Sequence, residues 1–293
     1  MSGPTASGKT GLSIALAKHF NTCILSADSR QFYRELSIGT AKPTAKEQGE
    51  VKHHFIDSHT VTDKVNSARF EKEALQLLNE AFETKETVIL VGGSGMFIDA
   101  LCIGLDDIPS SKELKNQIQV EYEKNGLNPL LEELQTNDPE YFDQVDKKNA
   151  MRVLRAIEVT RLTGEKFSTL RKQAPEKRPF HVKRFAIHHE RDELYSRINT
   201  RVDMMMEAGL LEEVKSVKKF SGIPSLNTVG YKELFAYIDG HCSLDEAVDK
   251  IKQNTRRYAK RQLTWLRRHA ETHWIDHNDE NKMKKEVVDA LKL

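Results

Sequence analysis

The sequence predicts an α/β protein: a parallel-sheet core with an all-helical domain inserted into it. Three observations carry that reading. Gly3-Pro4-Thr5-Ala6-Ser7-Gly8-Lys9-Thr10 has the G-x-x-x-x-G-K-[ST] spacing that wraps backbone N–H groups around a phosphate, and an amphipathic stretch over 11–20 follows it. Two apolar runs, 22–27 and 87–91, end at Asp28-Ser29-Arg30-Gln31 and Gly92-Gly93-Ser94-Gly95, as buried strands do where ligands gather at their carboxyl ends. After Pro109 the texture turns helical and charged, with no strand until the partly alternating run 182–187.

The loop is the first element. Its glycines let the backbone approach a phosphate, Lys9 reaches the charged oxygens, and the Thr10 hydroxyl is placed to hold a magnesium ion. The plainer alternative is a Gly-rich turn capping a helix. A buried strand normally feeds such a loop, and only Met1 and Ser2 precede this one. The expectation is a vacancy in the sheet, exposing apolar side chains and unpaired backbone, and a start upstream of Met1. Strand 22–27, helix 68–82 and strand 87–91 then follow in the order of a parallel βαβ unit. Residues 109–179 read as the insertion, with helices over 111–124, around 130–134 and over 149–162. Ile108-Pro109-Ser110-Ser111 and the basic, Pro-containing stretch 171–179 bound it. The core comprises 1–108 and 180–293, where a strand at 182–187 precedes a helical pattern reaching about Leu266 and a last short strand at Trp274-Ile275.

With 293 residues the chain can bury a sizeable core. No apolar run approaches the roughly 18 residues of a membrane span, and no secretory leader is present. Cys23, Cys102 and Cys242 are far apart, odd in number and lack metal-ligand spacing, so buried thiols in a reducing compartment, the cytoplasm, are expected rather than disulfides or zinc, and the chain is expected to be a monomer. The eleven histidines show no H-x-x-x-H or Cys-linked spacing, so no metal cage is expected. Lys plus Arg (45) balances Asp plus Glu (44), so only local clustering can point to nucleic acid.

That clustering lies at 251–270, where Lys252, Arg256, Arg257, Lys260, Arg261, Arg267 and Arg268 occur without an acidic residue. On a helix Arg257, Arg261 and Arg268 share one side, available to a polyanion, while Tyr258 and Trp265 either stack on bases or anchor the helix. Asp28, at a strand tip facing the loop, is the candidate general base; an Asp before polar residues also caps helices. The strand ending at Val91 meets glycines where a nucleotide hydrolase would carry a second acid, so the pattern favours group transfer from a donor diphosphate. Ser94 offers a hydroxyl and Lys115 a charge near departing diphosphate, and both are equally at home on a solvated surface. Arg197 and Arg201 share a helix face and can close over a diphosphate or pair with Asp192 or Glu193. Arg152 and Arg155 share another, facing RNA or pairing with acids such as Glu158.

Taken together the sequence resembles the tRNA dimethylallyltransferases, or tRNA isopentenyltransferases. The matching blocks are the loop at 3–10, SADSRQFY at 26–33, IGTAKP at 38–43, VGGSGMF at 91–97, RVLRAIEV at 152–159, VGYKE at 229–233 and YAKRQLTW at 258–265. The resemblance implies a P-loop NTPase-like, nucleotide-binding type of core that holds dimethylallyl diphosphate with Mg2+, and an insertion that helps embrace the tRNA anticodon stem-loop. It implies transfer of the dimethylallyl group to N6 of the adenine on the 3′ side of the anticodon. Asp28 matches the base, with Ser94 and Lys115 as further catalytic positions. Gly3, Pro4, Thr5, Ala6, Ser7, Gly8, Lys9 and Thr10, with Arg197, match diphosphate binding. Asp28, Ser29, Arg30, Gln31, Ser94, Lys115, Met151, Arg152, Val153, Leu154, Arg155, Asn227, Thr228, Val229, Gly230, Tyr231 and Lys232, with Arg257 and Arg261, fall where tRNA is contacted. Ser94 stands where Thr is usual, Lys115 where Arg occurs and Met151 where Gln often precedes the Arg. The rival readings are a P-loop small-molecule or nucleotide kinase, an adenylate isopentenyltransferase acting on free nucleotide, and a non-catalytic RNA-binding protein.

Overall fold

The computed structural model describes residues 1–106, 108–171 and 176–292, so part of the expected boundary stretch 171–179 lies outside the described residues. Two compact units emerge: one comprises Met1–Cys102 and Arg178–Leu293, the other Ile103–Lys177.

In the first unit α1 (Lys9–His19) follows the loop directly, then β1 (Ile24–Ser26), α2 (Ala45–Glu50), β2 (His53–His54), α3 (Ser67–Phe82), β3 (Ile89–Val91) and α4 (Gly95–Ile103). The three strands pair in parallel in the order β2-β1-β3, with Leu25 opposite Leu90. Helices cover both faces. Leu12, Leu16 and Ala17 of α1 pack with Ile24 and Ile89, while Leu25 meets Phe70, Ala74 and Leu78, the i, i+4, i+8 stripe of α3. Asn66 starts α3 by accepting the Arg69 N–H at 2.8 Å.

Beyond the second unit come β4 (Phe185–His188), α10 (Arg191–Glu207), α11 (Leu210–Ser216), α12 (Tyr231–Ile238), α13 (Leu244–Leu266), β5 (His273–Asp276) and α14 (Glu280–Leu291). Strands β4 and β5 form a parallel pair, with Ile187 opposite Ile275. Met1 and Ser2 stand between this pair and β3. The Met1 amine donates to the Leu90 carbonyl at 2.7 Å, the Ser2 N–H to Phe185 at 2.7 Å, and Ser2 bridges Gly92 and Ala186 in parallel. The expected vacancy is therefore corrected in part: two residues occupy the strand position that feeds the loop. Behind them remains an apolar cavity of about 310 Å³ lined by Leu16, Phe20, Leu78, Phe82, Leu101 and Leu291. Burial of the Met1 amine lowers its pKa to about 6.

Helices α10 to α13 share a separate core around Tyr231, Leu234, Leu210 and Val214. Ser243 and Glu246 form a capping box that fixes where α13 begins.

The second unit holds α5 (Lys112–Asn125), α6 (Asn128–Asn137), α7 (Pro139–Gln144), α8 (Ala150–Thr163) and α9 (Phe167–Leu170), with no strand among the described residues. Ile118, Leu130, Leu134, Val153 and Ile157 form its core. The buried Asp138 carboxylate caps α7 through the Tyr141 N–H and accepts from Ser168, satisfying a charge that burial would otherwise penalise.

Candidate functional site

The phosphate loop turns through Ala6 (φ 65°) and Gly8 (φ 88°), both left-handed, and hands over to the N-terminus of α1. Gly8 suits such a conformation, whereas Ala6 adopts it only because its surroundings over-determine the turn. Lys9 folds back onto its own loop, its Nζ donating to Gly3 at 2.9 Å and to Pro4 at 2.7 Å. Burial lowers its pKa to about 7, Arg201 adds to the effect, and Asp28 opposes it. The Ser7 hydroxyl is buried without a hydrogen-bond partner. Thr10 faces the same cavity of about 290 Å³, together with Lys9, Asp28, Arg201, Tyr258 and Gln262.

Asp28 sits two residues beyond β1, and its Oδ1 accepts the Arg30 N–H at 2.9 Å in a local turn. The capping alternative is thus realised as a turn, and the carboxylate still opens on the cavity. Burial pushes its pKa up; the Arg30 N–H and Lys9 pull the other way. Ser94, after β3, accepts the Ser29 N–H at 3.0 Å, which ties the two strand tips together. Tyr258 of α13 lines the same cavity, and burial, with Asp28 nearby, pushes its phenol up to about 12. The Gln31 amide holds the carbonyls of Thr40 and Ala41, placing that segment on the cavity wall.

A second cavity of about 300 Å³ adjoins the first, and Thr5, Asp28, Arg201 and Tyr258 line both. Arg30, Asn227, Thr228, Gly230, Lys232 and Arg261 complete its wall. Asp28 therefore stands where the loop cavity meets a second space of similar size whose wall carries Arg30, Lys232 and Arg261.

Several expected residues do other work. Arg197 lies against the loop, its Nε donating to the Ala6 carbonyl at 2.9 Å and a terminal guanidinium nitrogen close to Gly8. Tyr231 is fully buried, its hydroxyl on Glu213, whose carboxylate also accepts the N–H groups of Ser37, Ile38 and Gly39. In the second unit Val153 and Leu154 belong to the core, and Arg155 is engaged by Glu158 at 2.7 Å and by the Ile108 carbonyl. Tyr231, Val153 and Leu154 thus serve as core, and Arg155 is held by a carboxylate and a carbonyl. Lys115 lies 4.0 Å from Glu158, while Met151 and Arg152 are exposed. In α13 Lys252 pairs with Asp203 and Arg256 with Asn199, both on α10, leaving Arg257 on the surface and Arg261 over the Tyr258 ring. Trp265 is an anchor, donating to Asp99 at 2.6 Å.

Sequence reasoning missed Gln262. Its Oε1 accepts the Thr5 N–H and its Nε2 donates to the Gly93 carbonyl, each at 2.9 Å, joining the loop to the end of β3. The signal was a neutral amide among cations, four residues after Tyr258.

A family model described as IPP transferase matches residues 31–269. The chain is 45% identical over 292 residues to tRNA dimethylallyltransferase 1 of Bacteroides thetaiotaomicron, covering 99% of this chain and 94% of that one. The crystal structure of the full-length tRNA isopentenylpyrophosphate transferase from Bacillus halodurans superposes with a TM-score of 0.72 at 35% identity, over 99% of this chain and 95% of that one. A eukaryotic dimethylallyltransferase acting on tRNA shares the fold at a TM-score of 0.82 and 24% identity, over 99% and 76%.

Proposed function

The chain belongs to the IPP transferase family, and we propose that it transfers a dimethylallyl group from dimethylallyl diphosphate to N6 of the adenine 3′-adjacent to the anticodon in tRNA. The observation that carries the residue roles is the shared wall of the two cavities, with Asp28 at their junction. The loop N–H groups and Lys9 hold the diphosphate in the first cavity, and the adenine enters from the second, unstacked from its loop. The N6 lone pair attacks the donor's terminal methylene carbon, the carbon–oxygen bond breaks, and diphosphate leaves with the bonding electrons. Asp28 takes the N6 proton, and its raised pKa makes it a stronger base than an exposed carboxylate.

Magnesium fits the residues present: the unpartnered Ser7 hydroxyl and Thr10 supply hard oxygen donors beside the diphosphate space, and Thr10 would hold the ion. When bound it would offset charge on the leaving group. Arg30, Arg257, Arg261 and Lys232 supply phosphate contacts on the RNA side. No second acid stands at the tip of β3, which disfavours a kinase or hydrolase reading.

The test is to mix the protein with dimethylallyl diphosphate, magnesium and an unmodified anticodon stem-loop, then weigh the RNA. Replacement of one hydrogen by one dimethylallyl group is expected. Label transfer from ATP, with no prenylation, overturns the reading.

A further inference from the structure

The phosphate loop is tethered at three successive residues from the C-terminal half of the core: Thr5 by Gln262, Ala6 by Arg197, and Ser7 by His189, whose Nε2 lies 3.0 Å from the Ser7 carbonyl. The His189 tether differs chemically from the other two. Its ring is fully buried, and its Nδ1 lies 3.0 Å from Glu193 Oε1. A backbone carbonyl only accepts, and so does an ionised carboxylate. Glu193 is ionised, its carboxyl held below the usual range first by the hydrogen bond from His189. A neutral imidazole has one N–H and would point a lone pair at one of these two oxygens. Both are satisfied when the ring carries both protons.

We propose that His189, as an imidazolium clamped by Glu193, is a positioning residue that shapes the phosphate loop for the donor diphosphate and sets a fixed positive charge behind it. The proposal rests on the donor reading above for its biological ligand. The surroundings agree with a single cation. The His277 ring stacks on His189 at 4.2 Å, with its Nδ1 3.5 Å from Glu193, and burial first of all holds the His277 pKa down. Arg197 is the other charged group facing Glu193. His189, Glu193 and His277 together have the composition of an open zinc site. Their geometry argues otherwise: a shared metal needs in-plane lone pairs converging on one point, and rings stacked at an interplanar angle of 26° do not provide that.

The experiment measures calorimetric binding of inorganic diphosphate and steady-state kinetics for His189→Gln, His189→Ala and Glu193→Ala, with 15N spectra of the histidine rings. Loss of one charged hydrogen bond should weaken diphosphate binding and raise the donor KM about tenfold in His189→Ala. His189→Gln, which keeps a donor for Ser7 without the charge, should recover part of that loss. The tRNA KM and kcat at saturating donor should stay within about twofold of wild type, which general loosening of the fold would not produce. Wild-type His189 should show protons on both ring nitrogens, and Glu193→Ala should lose the one on Nδ1. If His189→Ala does not fold, the Gln variant and Glu193→Ala carry the test. Unchanged diphosphate affinity, a singly protonated ring, or one equivalent of zinc removed by His277→Ala overturns the proposal. Because the probe is inorganic diphosphate, failure of the prenyl-transfer reading would leave this result standing.

Discussion

Asp28 and Lys9 line one cavity beside the phosphate loop, each shifted toward its neutral form chiefly by burial. An asparagine at position 28 keeps an oxygen for the Arg30 N–H, so the turn survives while the base is lost. Asp28→Asn should therefore bind tRNA within about twofold of wild type and lose roughly 10²–10⁴ in single-turnover transfer, the usual worth of a positioned base. Normal turnover by that variant would remove Asp28 from the role. The lysine gives a pH signature of definite sign. With its pKa near 7 in the free protein, Lys9 sheds its charge as pH rises through that value, and capture of an anionic donor weakens. On the acid side, protonation of Asp28, whose pKa is raised, removes the base as pH falls. The kcat/KM for donor should be bell-shaped and decline above about 7. At saturating donor the bound diphosphate restores the ammonium, so kcat should lack that alkaline limb. A kcat/KM still climbing well above neutrality would contradict the assigned electrostatics.

At the scale of elements, α13 connects the two halves of the site. One face carries Arg257 and Arg261, and the other sends Gln262 between the phosphate loop and β3. A Cβ added at Gly93 would sit 2.0 Å from the Gln262 amide nitrogen, so the strut needs a glycine there. Gln262→Leu should raise the donor KM severalfold and cost about 1–3 kcal/mol of stability by stranding the buried Gly93 carbonyl and releasing the part-buried Thr5 N–H. Gly93→Ala should reproduce much of this, and the double variant should be less than additive, since both break one contact. Full additivity in a chemical-denaturation and donor-KM cycle would refute the strut. This element also shows what the sequence made legible. The helical period and basic run of α13 were readable because they are local, as were β1, β3, α3 and α8. Short β2, with half-buried His53 and His54, carries no apolar run, and the polar α14 hides its Met283 and Val287 stripe among charges. Asp28 and the loop announced themselves through motif and position. Gln262 and His189 did not, because their partners lie 257 and 182 residues away and become visible only in three dimensions.

For the molecule as a whole, the strand position beneath the phosphate loop is held by Met1 and Ser2. Met1 and Ser2 knit β3 to β4 with four backbone hydrogen bonds, yet an apolar cavity of about 310 Å³ lies behind them and the Met1 amine, its pKa lowered to about 6 by burial, lines it. Adding four β-branched residues ahead of Met1 would continue the strand in parallel with Val88 and Lys183 and move the amine outward. Helices α1 and α14 wall one side of the slot and α3 and α4 the other, so side chains pointing either way are buried. Each buried aliphatic side chain contributes about 1.5–3 kcal/mol. Ordering each added residue costs about 1–2 kcal/mol. The difference, summed over the extension, leaves a net gain of about 2 kcal/mol, which for a chain of this size corresponds to roughly 3 °C in Tm. A serine and aspartate extension of equal length would bury polar groups and should give no gain. Because the added strand leads straight into Gly3, it should also steady the loop and tighten inorganic diphosphate binding. Equal Tm values for the apolar and polar extensions, read by calorimetry, would show that the slot does not accept a strand and that two residues suffice to anchor the loop.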